Sequence, residues 1–144
     1  MIALGCDSAG FALKLEIMRF LDEKGIAYKD YGAFSDESCD YPLTAAEPCK
    51  AVQSGLCDKA LLFCGTGVGI SMAANKYKGI RAACCSDYFS AKYTRLHNDA
   101  NVLCLGGRVI GAGTARELVE IFLSTEFEGG RHARRVAQIH DIEK

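Results

Sequence analysis

Five short apolar runs, each followed by a stretch with helical spacing, constrain the fold of this chain more than any other feature. Met1 to Leu4 is the first run. Behind it, Phe11, Leu15, Met18 and Leu21 recur at helical intervals, with Lys14, Glu16, Arg19 and Asp22 on the other side. Apolar residues three and four apart make one face of a helix, so residues 9–24 read as helix. Gly25 is placed to end it, because glycine takes the left-handed cap conformation without strain. Ile26 to Tyr31 is a weaker strand, and residues 32–41 form a polar loop. Pro42 suits the first turn of a helix that carries Ala45, Cys49 and Val52 inward and stops near Gly55.

Lys59 to Phe63 is the third strand, followed by Gly65-Thr66-Gly67-Val68-Gly69 and a short helix to about Asn75. Ile80 to Cys84 is the fourth strand, and Asp87 caps a helix running to about Leu96. Asn101 to Leu105 is the fifth. A helix from about residue 112 turns Ala115, Leu118, Val119 and Phe122 to one face, and after Gly129-Gly130 residues 131–142 form a last, charged helix. Strands alternating with helices imply a parallel sheet covered on both faces, a three-layer αβα arrangement with right-handed crossovers. The 144 residues make a single domain, 1–144, long enough to bury a core without disulfide or metal. The last helix is mostly polar and follows a Gly-Gly hinge, so it is expected to pack on a partner subunit.

Composition removes several function classes. Seventeen basic residues face 18 acidic ones, for a net charge of -1, which gives no global attraction to nucleic acid or an anionic membrane. No apolar run approaches the roughly 20 residues that span a bilayer. The opening Met1-Ile2-Ala3-Leu4-Gly5-Cys6-Asp7 has no basic region of the signal-peptide kind, so a cytoplasmic location is expected. Eight cysteines stand at 6, 39, 49, 57, 64, 84, 85 and 104 with no C-x-x-C among them. Most lie inside apolar stretches, where reduced cysteine acts as a small hydrophobe. Three histidines without paired ligand spacing argue against a zinc site, so no metal is expected.

In open parallel sheets ligands bind beyond the carboxyl ends of the strands. There stand Asp7-Ser8, Cys64 with its glycine-rich turn, Ser86-Asp87, and Gly106-Gly107-Arg108. Glycines at 65, 67 and 69 let the backbone approach a ligand and turn amide hydrogens inward at a helix start, which suits an anion or a developing oxyanion. The spacing matches neither G-x-G-x-x-G nor a P-loop, and a plain strand-to-helix turn is the other reading. Cys64 faces that same helix terminus, an environment expected to favour the thiolate, the form that acts as base or nucleophile. Buried packing is its other reading. His97 precedes Asn98-Asp99 and also fits a helix C-terminal histidine, while Asp7-Ser8 also fits a helix cap. Arg131 and Arg135 share a helix face beside Arg134, as a solvated basic surface or a phosphate clamp. Arg108 is similar in kind.

Taken together, these residues resemble the ribose-5-phosphate isomerase B family, which includes the galactose-6-phosphate and allose-6-phosphate isomerases. The carrying segments are Gly5-Cys6-Asp7, Asp40-Tyr41-Pro42, Cys64-Gly-Thr-Gly-Val-Gly-Ile-Ser, Ala73-Ala74-Asn75-Lys76, Gly79-Ile80-Arg81-Ala82, His97-Asn98-Asp99-Ala100-Asn101-Val102 and Gly129-Gly130-Arg131-His132. The resemblance implies a five-stranded Rossmann-like sheet that binds no nucleotide, and a homodimer or dimer of dimers whose active sites use two subunits. It implies cofactor-free, metal-free interconversion of aldose and ketose phosphates, with ribose 5-phosphate the first choice of substrate. Carried over by motif, Cys64 would move the proton between C2 and C1. Thr66 and the amides of Gly65, Gly67, Val68 and Gly69 would hold the enediolate oxygen. His97 would open the sugar ring. Asp7, Ser8, Tyr41 and Asn98 would line the sugar, and Arg108, Arg131 and Arg135 would hold the phosphate.

One position departs from the family pattern. Ser8 stands where most ribose-5-phosphate isomerases of this family have histidine, and serine is no acid or base near neutral pH. That departure keeps a galactose or allose 6-phosphate, another pentose phosphate or a tetrose phosphate in play, and motivates a second reading, a sugar-phosphate sensor without turnover. A thiol redox protein is a third, resting on the cysteine count alone.

Overall fold

The computed structural model describes residues 1–144. The elements are β1 (Ile2–Cys6), α1 (Phe11–Lys24), β2 (Tyr28–Asp30), α2 (Tyr41–Gln53), β3 (Lys59–Cys64), α3 (Val68–Ala74), β4 (Ala82–Cys84), α4 (Tyr88–Asn98), β5 (Val102–Gly106), α5 (Ala112–Ser124) and α6 (Arg131–Asp141). All five strands are parallel, in the order β2-β1-β3-β5-β4.

Side chains alternate across a strand, so each strand serves two cores. Ile2, Leu4 and Cys6, Leu61 and Phe63, and Leu103 and Leu105 face Leu13, Ile17, Phe20 and Leu21 of α1 and Ala115, Leu118, Val119 and Phe122 of α5. On the opposite face Ala3, Ala60, Leu62, Cys64, Val102 and Cys104 meet Ala45 and Cys49 of α2 and Ile70 and Ala74 of α3. Strands buried on both faces read as unbroken apolar runs, which is why β1, β3 and β5 stand out in the sequence. The second face is made of smaller residues, and α2 sits close to it. A Cβ on Gly5 would lie 2.8 Å from both the Pro48 ring and the Thr44 carbonyl oxygen. Pro48 is inside α2, where it has no N–H to return to that carbonyl.

The structure moves several expected details. β4 begins at Ala82 rather than Ile80, because the Arg81 N–H is taken by the Asn101 side chain at 2.8 Å. The inward stripe of α1 is also rotated from the expected one. Leu15 is exposed, while Lys14, expected on the outer side, is completely buried. Leu13, Ile17, Phe20 and Leu21 keep the same helical spacing, and it is this set that meets the sheet. Lys14 is tolerated there because its Nζ lies 2.7 Å from the Asp30 carboxylate and also donates to the Ala33 carbonyl. A buried ammonium needs such partners.

The charged last helix folds back on its own chain. α6 packs on α4. Beyond it, Glu143 accepts from the Gly79 N–H at 3.2 Å, and Arg81 lies 2.7 Å from His140. Arg131, Arg134 and Arg135 point outward and are exposed. No helix is long and apolar enough to cross a membrane.

The Lys14–Asp30 contact makes a stability prediction. Asp30→Asn leaves the Lys14 charge buried beside a neutral amide, and is expected to cost about 3 kcal/mol. Denaturant unfolding of the two proteins measures it, and equal midpoints would contradict the pairing.

Candidate active site

The C-terminal ends of β1, β3 and β5 bring three loops to one edge of the sheet. The loop after β5 is laced to the loop after β3: Gly107 N–H donates to the Cys64 carbonyl at 2.8 Å, and Arg108 N–H to the Gly65 carbonyl at 3.0 Å. This holds the Arg108 side chain over Gly65, where an added Cβ would be 3.5 Å from a guanidinium nitrogen. From β1, Asp7 accepts the Gly10 N–H at 3.0 Å, and Gly10 packs so tightly on the Phe63–Cys64 peptide that a Cβ there would lie 2.3 Å from backbone. Ser8, in the same loop, is half-buried. Tyr41 reaches in from the start of α2, and its hydroxyl would stand 2.8 Å from a Cβ on Gly69. Asp7, Ser8, Tyr41, the Cys64–Gly69 turn and Arg108 therefore lie together at one edge of the sheet, without the Asn98, Arg131 and Arg135 expected beside them.

Cys64 is its centre. The residue is only 4% exposed, and its sulfur accepts the Gly67 N–H at 3.1 Å. No other cysteine of the chain accepts a backbone N–H. Burial pushes Cys49 up to about 12 and Cys85 up to about 11, and raises Cys104 well above the ordinary thiol value. Those thiols stay protonated at neutral pH and act as packing. Thr66 is exposed, and its hydroxyl accepts the Val68 N–H at 3.1 Å. Cys84, which sequence reasoning left among the inert cysteines, is exposed beside this turn, with its sulfur 3.5 Å from the Thr66 carbonyl.

A second constellation forms at the end of α4. His97 stacks on His132 of α6, with ring centres 4.0 Å apart and planes within 8°. Tyr93 meets His97 edge-on at 5.1 Å. A Glu128 carboxylate lies 3.7 Å from His97 Nε2 and 3.8 Å from His132 Nε2. Burial first, then the neighbouring His97 and Arg131, hold His132 below the ordinary histidine range. Asn98 and His97 line a cleft of about 410 Å³ that also touches Cys84 and Cys85. Arg131 and Arg135 have no acidic partner within ion-pair distance in the chain. No hydrogen bond or ion pair joins this constellation to Cys64. Sequence reasoning missed Glu128 and His132. His132 stands in the quoted Gly129-Gly130-Arg131-His132 segment, but nothing in the spacing pairs it with residue 97.

A helix-covered parallel sheet with a thiol and inward amides at its ligand edge narrows the comparison with known proteins. The ribose/galactose isomerase family model matches residues 2–139. The chain belongs to that family. Ribose-5-phosphate isomerase B of Escherichia coli is 50% identical over 143 residues, covering 99% of this chain and 96% of the relative. The D-erythrulose-4-phosphate isomerase of Pectobacterium atrosepticum is 42% identical, covering 96% and 91%. Among solved structures, ribose-5-phosphate isomerase B of Clostridium thermocellum superimposes with a TM-score of 0.97 at 48% identity, covering 99% of this chain and 96% of that one. The enzyme from Thermotoga maritima gives 0.96 at 47%, covering 97% of each. The chain is an aldose–ketose isomerase with the Rossmann-like αβα fold of these enzymes. A sensor without turnover and a thiol redox protein therefore fall away.

The turn of this isomerase rests on Gly67, which has φ 81°. A side chain there would also meet the Leu105 carbonyl carbon at 3.0 Å and the Cys84 sulfur at 3.1 Å. Gly67→Ala is expected to cost roughly 1–3 kcal/mol in stability through that strain. It is also expected to lower turnover by disturbing the N–H that reaches Cys64. Thermal unfolding and steady-state assays check both.

Proposed function

We propose that this isomerase interconverts ribose 5-phosphate and ribulose 5-phosphate, with Cys64 as the base that carries the proton between C2 and C1. The observation that carries the reading is the Gly67 N–H donated to the Cys64 sulfur, inside a glycine-rich turn at the start of α3. A carbon acid beside a carbonyl needs both a base and donors for the oxygen that becomes negative. The thiolate of Cys64 supplies the first. The Gly65–Gly69 amides, with Thr66, supply the second and stabilise the enediolate oxygen.

Ring opening precedes that step, because the aldose is mostly cyclic. His97, with its half-exposed imidazole, takes the proton of the anomeric hydroxyl and returns one to the ring oxygen. Asp7, Ser8, Tyr41 and Asn98 contact the sugar hydroxyls. Arg131, Arg135 and Arg108 bind the phosphate, whose binding energy holds the sugar against the base. Arg131 and Arg135 are exposed and have no acid of their own to satisfy, which fits a ligand-binding role. The Cys64 and His97 constellations are separate within one chain, so the working site joins Cys64 of one protomer to His97 of the partner subunit in a homodimer or a dimer of dimers. No cofactor enters this chemistry. All eight cysteines are free, and a base that must stay reduced belongs in the reducing cytoplasm.

The identity to ribose-5-phosphate isomerase B favours the five-carbon substrate. A tetrose phosphate is the second reading, supported by the D-erythrulose-4-phosphate isomerase relative and by Ser8, which brings no imidazole to the sugar site.

Two measurements test the proposal. In deuterated water, NMR of four- to six-carbon sugar phosphates should show fastest C2-proton exchange with ribose 5-phosphate. Cys64→Ala should lose at least about a thousandfold in exchange while still binding the sugar phosphate. Wild-type exchange in that variant would remove Cys64 from the base role. Arg131→Ala and Arg135→Ala should each cost on the order of 2–5 kcal/mol in kcat/KM. Randomly mixing Cys64→Ala with Arg131→Ala subunits should restore about one quarter of wild-type turnover, since half of the pairs are mixed and each holds one intact site. No recovery would contradict the shared site.

A further inference from the structure

The contact between α4 and α6 holds a donor set of which the proposed isomerisation uses only His97, leaving Glu128 and His132 without a role. One ring nitrogen each of His97 and His132 and one carboxylate oxygen of Glu128 all lie within 4.8 Å of one another. His132 Nε2 is buried and has no hydrogen-bond partner, in a side chain that is only 6% exposed. Its nearest candidate, the Glu128 carboxylate, is 3.8 Å away, beyond hydrogen-bond reach. A buried polar atom left without a partner is uncommon and calls for a reason. A bound cation would supply one.

The donor chemistry selects the cation. Two imidazoles and one carboxylate suit zinc and its first-row neighbours far better than the oxygen-loving magnesium or calcium. Three protein ligands leave a fourth position for water. A tetrahedral shell with bonds of about 2.0–2.1 Å puts ligand atoms about 3.3 Å apart. The ligand atoms here must close by about 1.5 Å or less, judged from that spacing. Glu128 and His97 are both exposed enough to swing, with side chains 54% and 36% accessible, while burial fixes His132. The parallel rings must splay for both lone pairs to converge. Arg131 and Arg135 stand on the same helix and oppose a dication, so binding is weaker than in a structural zinc site.

We propose that His97, Glu128 and His132 bind one divalent transition-metal ion of the zinc class, and that an ion held there inhibits the enzyme by withdrawing the His97 imidazole from ring opening. The binding half stands on geometry alone. The inhibitory half rests on the role given to His97 under the proposed function. A ketopentose 5-phosphate has its C5 oxygen esterified and cannot close a five-membered ring, so it meets the base already open. The metal should therefore slow turnover of the cyclic aldose phosphate more than exchange of the C1 proton of the ketose.

Cobalt(II) titration of the metal-stripped full-length protein tests the site, because cobalt bound by nitrogen and oxygen in a tetrahedral or five-coordinate shell shows visible d–d absorption. One equivalent per chain should bind and be displaced by zinc. Glu128→Gln, at an exposed position that should not disturb folding, and His132→Asn should each weaken binding at least tenfold. Equal affinity in all three proteins, or an intense near-ultraviolet sulfur-to-cobalt band showing that Cys64 or Cys84 is the ligand, would overturn the site. For the inhibitory half, zinc should block aldose turnover in the wild type, and Glu128→Gln should raise the inhibiting concentration by the factor seen in binding. If cobalt binds as expected but zinc leaves aldose turnover intact, or halts ketose exchange equally, the site stands and the ring-opening role of His97 falls.

Discussion

Two peptide hydrogens close on Cys64, that of Gly67 on its sulfur and that of Gly107 on its carbonyl oxygen. The first fixes where the thiol points and the second fixes where its strand ends. The second contact forms only where the loops after β3 and β5 lie side by side, and that adjacency follows from the strand order. The register of β3 against β5 sets Cys64 opposite Gly106, where a side chain would collide with the Thr66 backbone. Small residues at the strand ends are therefore a condition of the site. They let three loops share a space that side chains would otherwise fill.

The two cores divide the labour. Leucine, isoleucine and phenylalanine on the α1/α5 face supply most of the buried apolar bulk. The α2/α3 face is built mostly from alanine and cysteine, with Leu62, Ile70, Ile80 and Val102 among them, and gains close approach instead of bulk. Close approach brings Tyr41 at the head of α2 onto Gly69. The same face carries four of the eight cysteines, and packing accounts for Cys49, Cys57 and Cys104 without redox chemistry. Small, apolar and slightly larger than alanine, they fill a narrow layer, and burial keeps Cys49 and Cys104 protonated.

Much of this was readable from the residues. β1, β3 and β5 declare themselves because both of their faces are buried, and the glycine-rich turn with Cys64 is visible because its glycines crowd one strand end. The Gly25 stop and the Asp87 cap also form as their residue types require, Gly25 with φ 68° and Asp87 accepting the Ser90 N–H at 2.8 Å. The rest depends on partners distant in sequence. Lys14 sits inside because Asp30, sixteen residues later, meets it there. Two helical stripes on α1 were equally apolar, and only the sheet selects between them. β4 shrinks because Asn101 takes the N–H of Arg81. The grouping of His97 with Glu128 and His132 arises only when α6 folds over α4, and no local spacing encodes a contact across more than thirty residues.

The fastening of α6 at both ends bears on how an assembled site works. His132 pins its first turn to α4, and Glu143 with His140 ties its last turn back to the Gly79–Arg81 segment. The helix is thus a strut rather than a swinging arm. Its arginines and the imidazole of His97 are set at fixed mutual distances inside a single chain, before any second copy arrives. In the proposed shared site, docking would present this arrangement to the opposing thiol with the ordering cost of its arginines and imidazole already met during folding.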